Sequence, residues 1–214
     1  MLSERIVASD STMIRRGSFV NLTGVALEID EQSKYRKQYF EILNGVYEEY
    51  KINPYIFILK SAELRNLIPS YHVHTALNKL TEELLRINSI KMINVSNTIL
   101  LNDVALGETT EPGLKFLYTL QQYYTIVPVW RYYLIRRNPA NIVILDGIQG
   151  KITKAWSFIG RNAKKVYVVP HGDQTYPCLS LCDLICSYIR ANVSHIDAKE
   201  IYELLRNKTS AYAN

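Results

Sequence analysis

An α/β fold, a mixed central sheet flanked by helices, is predicted by three observations. Short runs rich in β-branched residues, 141–145 (NIVIL) and 166–169 (VYVV), have the length and continuity of buried strands. Longer segments repeat apolar residues every three or four positions, the period of a helix with one buried face. The order is strands first, then helices and strands in alternation, which suits one mixed sheet covered by helices.

Residues 5–9 form a short β-rich run, and 19–29 (FVNLTGVALEI) a longer one with Gly24 inside it. Arg15, Arg16 and Gly17 between them read as a hairpin turn. Asp30 and Ser33 introduce a helix carrying Tyr35, Tyr39, Ile42, Val46 and Tyr50, closed by Asn53 and Pro54. Residues 55–59 (YIFIL) predict a buried strand. Leu77, Leu80, Leu84 and Ile87 follow Thr75 at helical spacing, and 91–101 (KMINVSNTILL) is rich enough in Ile and Val for a strand. Residues 111–137 predict a helix with Pro112 near its start and Pro128 kinking or splitting it. Its tyrosines at 118, 123, 124, 132 and 133 suit packing or base stacking. The two NIVIL and VYVV strands are expected at the centre of the sheet. Two helices, about 179–192 and 196–207, complete the chain, the second opened by Ser194.

The 214 residues are 48% hydrophobic and 21% charged, enough apolar material for one core, and a single domain spanning 1–214 is expected. That composition excludes disorder. No stretch approaches the ~18 apolar residues that span a bilayer. Glu4 and Arg5 stand where a signal peptide would be apolar, so a cytoplasmic protein is expected, with no membrane partner. Cys178, Cys182 and Cys186 recur four apart, one stripe of a helix, and read as core thiols.

The chain carries 25 basic and 20 acidic side chains. Between 131 and 165 lie eight of the basic ones (Arg131, Arg136, Arg137, Lys151, Lys154, Arg161, Lys164, Lys165) against one acid, Asp146, so the whole surplus sits in one segment. Such a segment suits contact with an anionic polymer such as DNA or RNA, or is a solvated basic face.

Three carboxylates stand out by their context. Asp10 follows the first strand, Asp146 follows a buried one, and Asp183 lies inside an otherwise apolar helix, where a charge needs a partner, a metal or solvent. Strand ends are where open α/β sheets bind ligands. Carboxylates gathered there can hold Mg²⁺ or Mn²⁺ and support displacement at phosphorus. Taken singly, each is equally an ordinary turn or helix aspartate. Weaker signals are His72 and His74, which would share a face on a strand or else sit in a loop after Pro69, and His171 in the loop beyond VYVV, a pH-dependent helper. The run Gly147-Ile148-Gln149-Gly150 lacks the Gly-Lys-Ser/Thr ending of a nucleotide-binding loop.

The order of these blocks resembles the ribonuclease-H-like fold, and within it a widespread family with an Asp-Glu-Ser-Gly first strand and a final helix reading Leu-Gln-x-Ala-Asp. The matching stretches are Ser9-Asp10-Ser11-Thr12, Ile58-Leu59-Lys60-Ser61, Val143-Ile144-Leu145-Asp146, and Tyr176-Pro177 before Leu179-Ser180-Leu181-Cys182-Asp183. The resemblance implies Asp10, Asp146 and Asp183 as catalytic metal ligands for Mg²⁺ or Mn²⁺, and Lys60 as a cation facing the phosphate or leaving group. This chain departs from the pattern at Ser11, which replaces the motif's glutamate, and in lacking its glycine; Glu63 is a candidate fourth carboxylate. Three functions remain open: a metal-dependent nuclease or other phosphodiester-processing enzyme, a nucleic-acid-binding or adaptor protein without catalysis, and a protein-interaction module built on the tyrosines.

Overall fold

Side chains of the first strand alternate between two environments, and that alternation organises the molecule. The computed structural model describes residues 4–16, 19–53, 60–100, 111–135, 140–147 and 153–192. Its strands are β1 (Ile6–Arg16), β2 (Phe19–Ile29), β3 (Ile90–Leu100), β4 (Ile142–Asp146) and β5 (Lys165–Val169). Its helices are α1 (Gln32–Tyr50), α2 (Ser61–Leu67), α3 (Ser70–Leu85), α4 (Glu111–Ile135), α5 (Thr153–Asn162) and α6 (Pro177–Asn192), with a 3-10 turn at Gly172–Gln174. The strands form a five-stranded sheet in the order β3-β2-β1-β4-β5, antiparallel from β3 to β1 and parallel from β1 to β5. This is the α/β architecture, a mixed central sheet flanked by helices, that the sequence pointed to.

On one face Ile6, Ala8, Val25, Leu27 and Ile144 pack under α1, α3 and α6. On the other Val7, Ala26, Val143 and Leu145 pack under α4 and α5, through Ile126, Val129, Tyr132, Tyr133 and Ile159. The buried face of α1 is Tyr35, Tyr39, Leu43, Val46 and Tyr47. Tyr35 donates to the Pro177 carbonyl at 2.9 Å and the Tyr39 hydroxyl meets Ser180 at 2.7 Å, tying α1 to α6. The three cysteines are free and buried along α6, as their spacing predicted.

Several expectations are corrected. β1 runs to Arg16, well beyond residue 9, because pairing with β2 continues through its polar residues. VYVV is the outer strand of the described sheet, with Tyr167 exposed. His72 and His74 lie on α3, which starts at Ser70, and two residues along a helix do not share a face. Helix α5 was not anticipated. The expected strand 55–59 and helix 196–207 lie outside the described residues.

α4 passes Pro128 without ending. Proline has no N–H to give the carbonyl four residues back, that of Tyr124, and its ring crowds it. Both the Tyr124 carbonyl and the Pro128 ring press on Gly24 of β2, where an added Cβ would lie 2.7 Å from Pro128 Cγ. β1 joins the same seam: the Ser9 hydroxyl reaches the Thr125 carbonyl, and the Ser11 hydroxyl donates to the Gln121 carbonyl at 2.9 Å. Gly24→Ala is therefore expected to force α4 off the sheet at a cost of about 1–3 kcal/mol, read as a lowered midpoint in urea unfolding.

Candidate active site

Parallel pairing of β1 with β4 decides where the acids meet. Ala8 is level with Ile144 and Ser9 with Leu145, the last pair of that ladder. One step further, Asp10 and Asp146 are neighbours at the carboxyl edge of the parallel strands, both on the face covered by α6. Asp10 thus lies within its strand, yet at the point where β1 loses its parallel neighbour. Asp183 comes to the same place from α6, and Lys60 from the residue just before α2. The four line one basin of roughly 370 Å³ together with Ser11, Thr12, Met13, Gln121, Asp173, Cys186, Ser187 and Arg190.

Each carboxylate is held differently. Asp146 Oδ1 accepts the Gly172 N–H at 2.8 Å, which draws the turn after β5 back over the strand end. Gly172 is needed there, since a Cβ would meet Leu179 Cδ1 at 2.5 Å. Asp183 Oδ2 accepts the Ser61 N–H at 2.9 Å, so the partner demanded by its apolar helix is the start of α2. Asp10 Oδ1 accepts the adjacent Ser11 N–H at 2.7 Å. Burial raises the Asp10 carboxyl well above the usual range, Asp183 adds repulsion, the Ser11 N–H opposes both, and Asp146 and Asp173 add smaller repulsions. Asp146 is raised too, chiefly by burial and against the Gly172 N–H. Burial disfavours the Lys60 ammonium, but its hydrogen bond to Asp173 and the charges of Asp173, Asp183 and Asp146 outweigh this and raise its pKa.

Two charged residues of the basin were given no role by the sequence, although the stretch His171-Gly172-Asp173 was expected to reach the sheet edge of Asp146. Asp173 is buried in the 3-10 turn and ion-paired with Lys60. Arg190 is an exposed cation about two turns of α6 beyond Asp183. Two expected helpers are elsewhere engaged or displaced. Glu63 accepts the Lys60 N–H and the Gln174 side-chain amide, both at 3.3 Å, and caps α2 without lining the basin. His171 is exposed in a left-handed conformation, φ 55°, at the start of the turn.

The described cations of the basic segment do not converge on the acids. Lys165 pairs with Ile142 while Val169 pairs with Asp146, which puts Lys165 ~13 Å along the sheet at ~3.3 Å per residue. Arg161 and Lys164 lead into that same end, and Arg131 adjoins Tyr132, whose ring is near Arg5 at the amino end of β1. Arg136, Arg137, Lys151 and the side chain of Lys154 lie outside the described residues. For the described cations, proximity to Asp146 in sequence is undone because β4 carries Asp146 to the opposite end of the strand from Lys165.

A family model described as a domain of unknown function, DUF8203, matches residues 7–214. The chain belongs to this family. A curated relative of the DUF8203 chain, an uncharacterized protein of Archaeoglobus fulgidus, is 27% identical over 219 residues, covering 94% of this chain. The chain spans 64% of that relative's length. Among solved structures, the ribonuclease HII complex with PCNA from Archaeoglobus fulgidus is 12% identical with a TM-score of 0.41, covering 91% of this chain and 76% of that one. The ribonuclease H2 of Pyrococcus horikoshii OT3 is 14% identical with a TM-score of 0.39, covering 95% and 77%. No helix among the described residues of this DUF8203 chain is long and apolar enough to cross a membrane.

The carboxylates of the basin are hard oxygen donors, the kind that Mg²⁺ or Mn²⁺ takes. Among the described residues no three acidic, histidine or cysteine side chains stand close enough to enclose a bare ion. Mg²⁺ commonly keeps several waters and is held by only one or two carboxylates, and the basin has room for those waters. The crowding of Asp10 against three other acids calls for added positive charge, so the residues fit such an ion.

An acid whose folded pKa is raised contributes stability that is present below its unfolded value of about 3.9 and lost as pH rises through the folded one. Asp10 therefore weakens the ion-free fold at neutral pH. Asp10→Asn is expected to raise the melting temperature at pH 7 without divalent ions, by ~2–4 °C per kcal/mol recovered for a chain of this size. The gain should shrink as the pH is lowered toward 4.

Proposed function

We propose that this protein is a Mg²⁺- or Mn²⁺-dependent nuclease, or a related phosphodiester-processing enzyme, acting on DNA or RNA. The observation that supports it most is the meeting of Asp10, Asp146 and Asp183, from far-separated parts of the chain, at one polar basin beside the carboxyl ends of two parallel strands. Asp10, Asp146 and Asp183 would hold the ion, which when bound supplies positive charge that activates water and stabilises the oxygens exchanged at phosphorus. The protein's own groups do the rest. Ser11 N–H and Gly172 N–H orient Asp10 and Asp146, and the Ser61 N–H orients Asp183. Lys60 and Arg190 supply cations at the basin for a phosphate, Arg190 as a planar fork that can grip two of its oxygens.

A second reading, a binding module that keeps the fold without turnover, is favoured by Ser11. The motif's glutamate is absent there, and the serine hydroxyl is spent on the Gln121 carbonyl and Thr125 Oγ1 of α4. Calorimetry with Mn²⁺ on the wild type and Asp146→Asn, followed by cleavage of mixed DNA and RNA, separates the two. The enzyme reading expects binding and cleavage in the wild type, with affinity down tenfold or more and cleavage lost in the variant. Salt-sensitive nucleic-acid binding without ion binding or cleavage would instead establish the module.

A further inference from the structure

We infer that the cavity between the amino ends of α1 and α6 binds a small carboxylate with a compact apolar body the size of one ring. The site is separate from the acid basin and does not depend on how that basin is read.

The cavity measures about 110 Å³. A dry apolar cavity of ~150 Å³ takes one benzene, so there is room here for a single ring or a branched chain. The floor is apolar, with Ile6, Ile29, Tyr35 and Cys178 all 5% exposed or less. Burial pushes the Cys178 thiol up to about 12 and Tyr35 well above the usual phenol range, so neither puts a negative charge under an anion at neutral pH. The rim is polar, formed by Gln32, Arg36, Thr175 and Tyr176. Among the described residues no acid lines the cavity.

Arg36 gives the cavity its sign. The other cations of α1, Lys34 and Lys37, are paired with Glu31 and Glu41, whereas the Arg36 guanidinium lies 5.8 Å from the Phe40 ring and has no carboxylate partner among the described residues. A guanidinium is a planar fork that matches the two oxygens of a carboxylate. Gln32 is one helical turn before it on the same face, and its amide adds donors beside the fork. The cavity therefore pairs a buried apolar floor with a cation at the mouth, which is complementary to an apolar body that ends in a carboxylate.

A single turn separates this cavity from the basin. Gly172 donates its N–H to Asp146 on the basin side, and its carbonyl accepts the N–H groups of Thr175 and Tyr176 at 3.0 and 2.8 Å. Those two residues are the cavity rim on the other side. A ligand seated against them holds the turn closed, so the openings that free the Gly172 N–H become rarer.

Benzoate is the probe, titrated into the full chain and followed in amide NMR spectra, with benzyl alcohol as its neutral counterpart and acetate as the anion without a body. Benzoate is expected to saturate with a Kd of about 1 mM or tighter, the scale for a fragment of roughly nine heavy atoms, and to move the amides of Ile29, Gln32, Thr175 and Cys178 most. Benzyl alcohol and acetate are expected to bind about tenfold more weakly or worse. Arg36→Met keeps the stem at an exposed position, removes the charge, and is expected to weaken benzoate about tenfold. Exchange of the Gly172 amide is expected to slow as the site fills. No saturation at twenty times the expected concentration overturns the site, and so do amide shifts centred on Lys60 and Arg190, which would place the probe in the basin. Equal binding of benzyl alcohol, or unchanged benzoate affinity in Arg36→Met, overturns the recognition of an anion. Should Arg36→Met fail to fold by circular dichroism, the benzoate and benzyl alcohol comparison on the wild type decides. An unchanged Gly172 exchange rate with benzoate bound overturns the link to the turn and leaves the site standing.

Discussion

Like charges held together against their repulsion are the feature on which the rest of this structure depends. Asp10, Asp146, Asp173 and Asp183 line one basin, and burial alone pushes the first two toward their neutral forms. Such a cluster persists only if its scaffold is rigid, because any slack would let the acids separate into water. The scaffold here is a parallel ladder on one side and a deeply buried helix on the other. The β1–β4 register sets Asp10 beside Asp146, and α6 brings Asp183 up beneath them on a stripe of Cys178, Cys182 and Cys186, all 5% exposed or less. Those thiols are pushed up in pKa by burial and remain neutral packing groups.

The opposite face of the sheet shows how the antiparallel half is kept in place. Pro128 removes one helical hydrogen bond from α4, and the polar side chains of Ser9 and Ser11 meet carbonyls of that helix just upstream. Period-two alternation then assigns the labour along β1: odd residues 7, 9 and 11 serve α4, even residues 6, 8 and 10 serve α6. A glutamate at position 11 would emerge on the α4 side of the strand. Ser11 is therefore a structural contact between β1 and α4.

Much of the fold was legible before any coordinates. The bounds of β2 matched because its run mixes aromatic, β-branched and other apolar residues at strand length, and the α3, α4 and α6 patterns are long enough to be unambiguous. β1 was read too short because Ser9, Asp10, Ser11 and Thr12 are polar on both faces, and only pairing with β2 carries the strand through them. α5 escaped notice because its ten residues are interrupted by Gly160 and its basic residues read as a charge segment. His72 and His74 were placed on a strand or loop because the proline before them hid a helix start.

What the sequence by itself determined is most of the described elements and the three acids that stand out along them, since burial period and strand ends are local properties of the chain. Their convergence, and the company they keep, were decided by tertiary structure. Asp173 carries no local signal, being one polar residue in a short turn, and it becomes a wall of the basin only because Gly172 is bonded across 26 positions to Asp146. The basic segment is the converse case. Its charges surround Asp146 in sequence, but a strand of five residues separates its two ends by more than a Debye length at physiological salt, and the described cations are left at the far edge of the sheet.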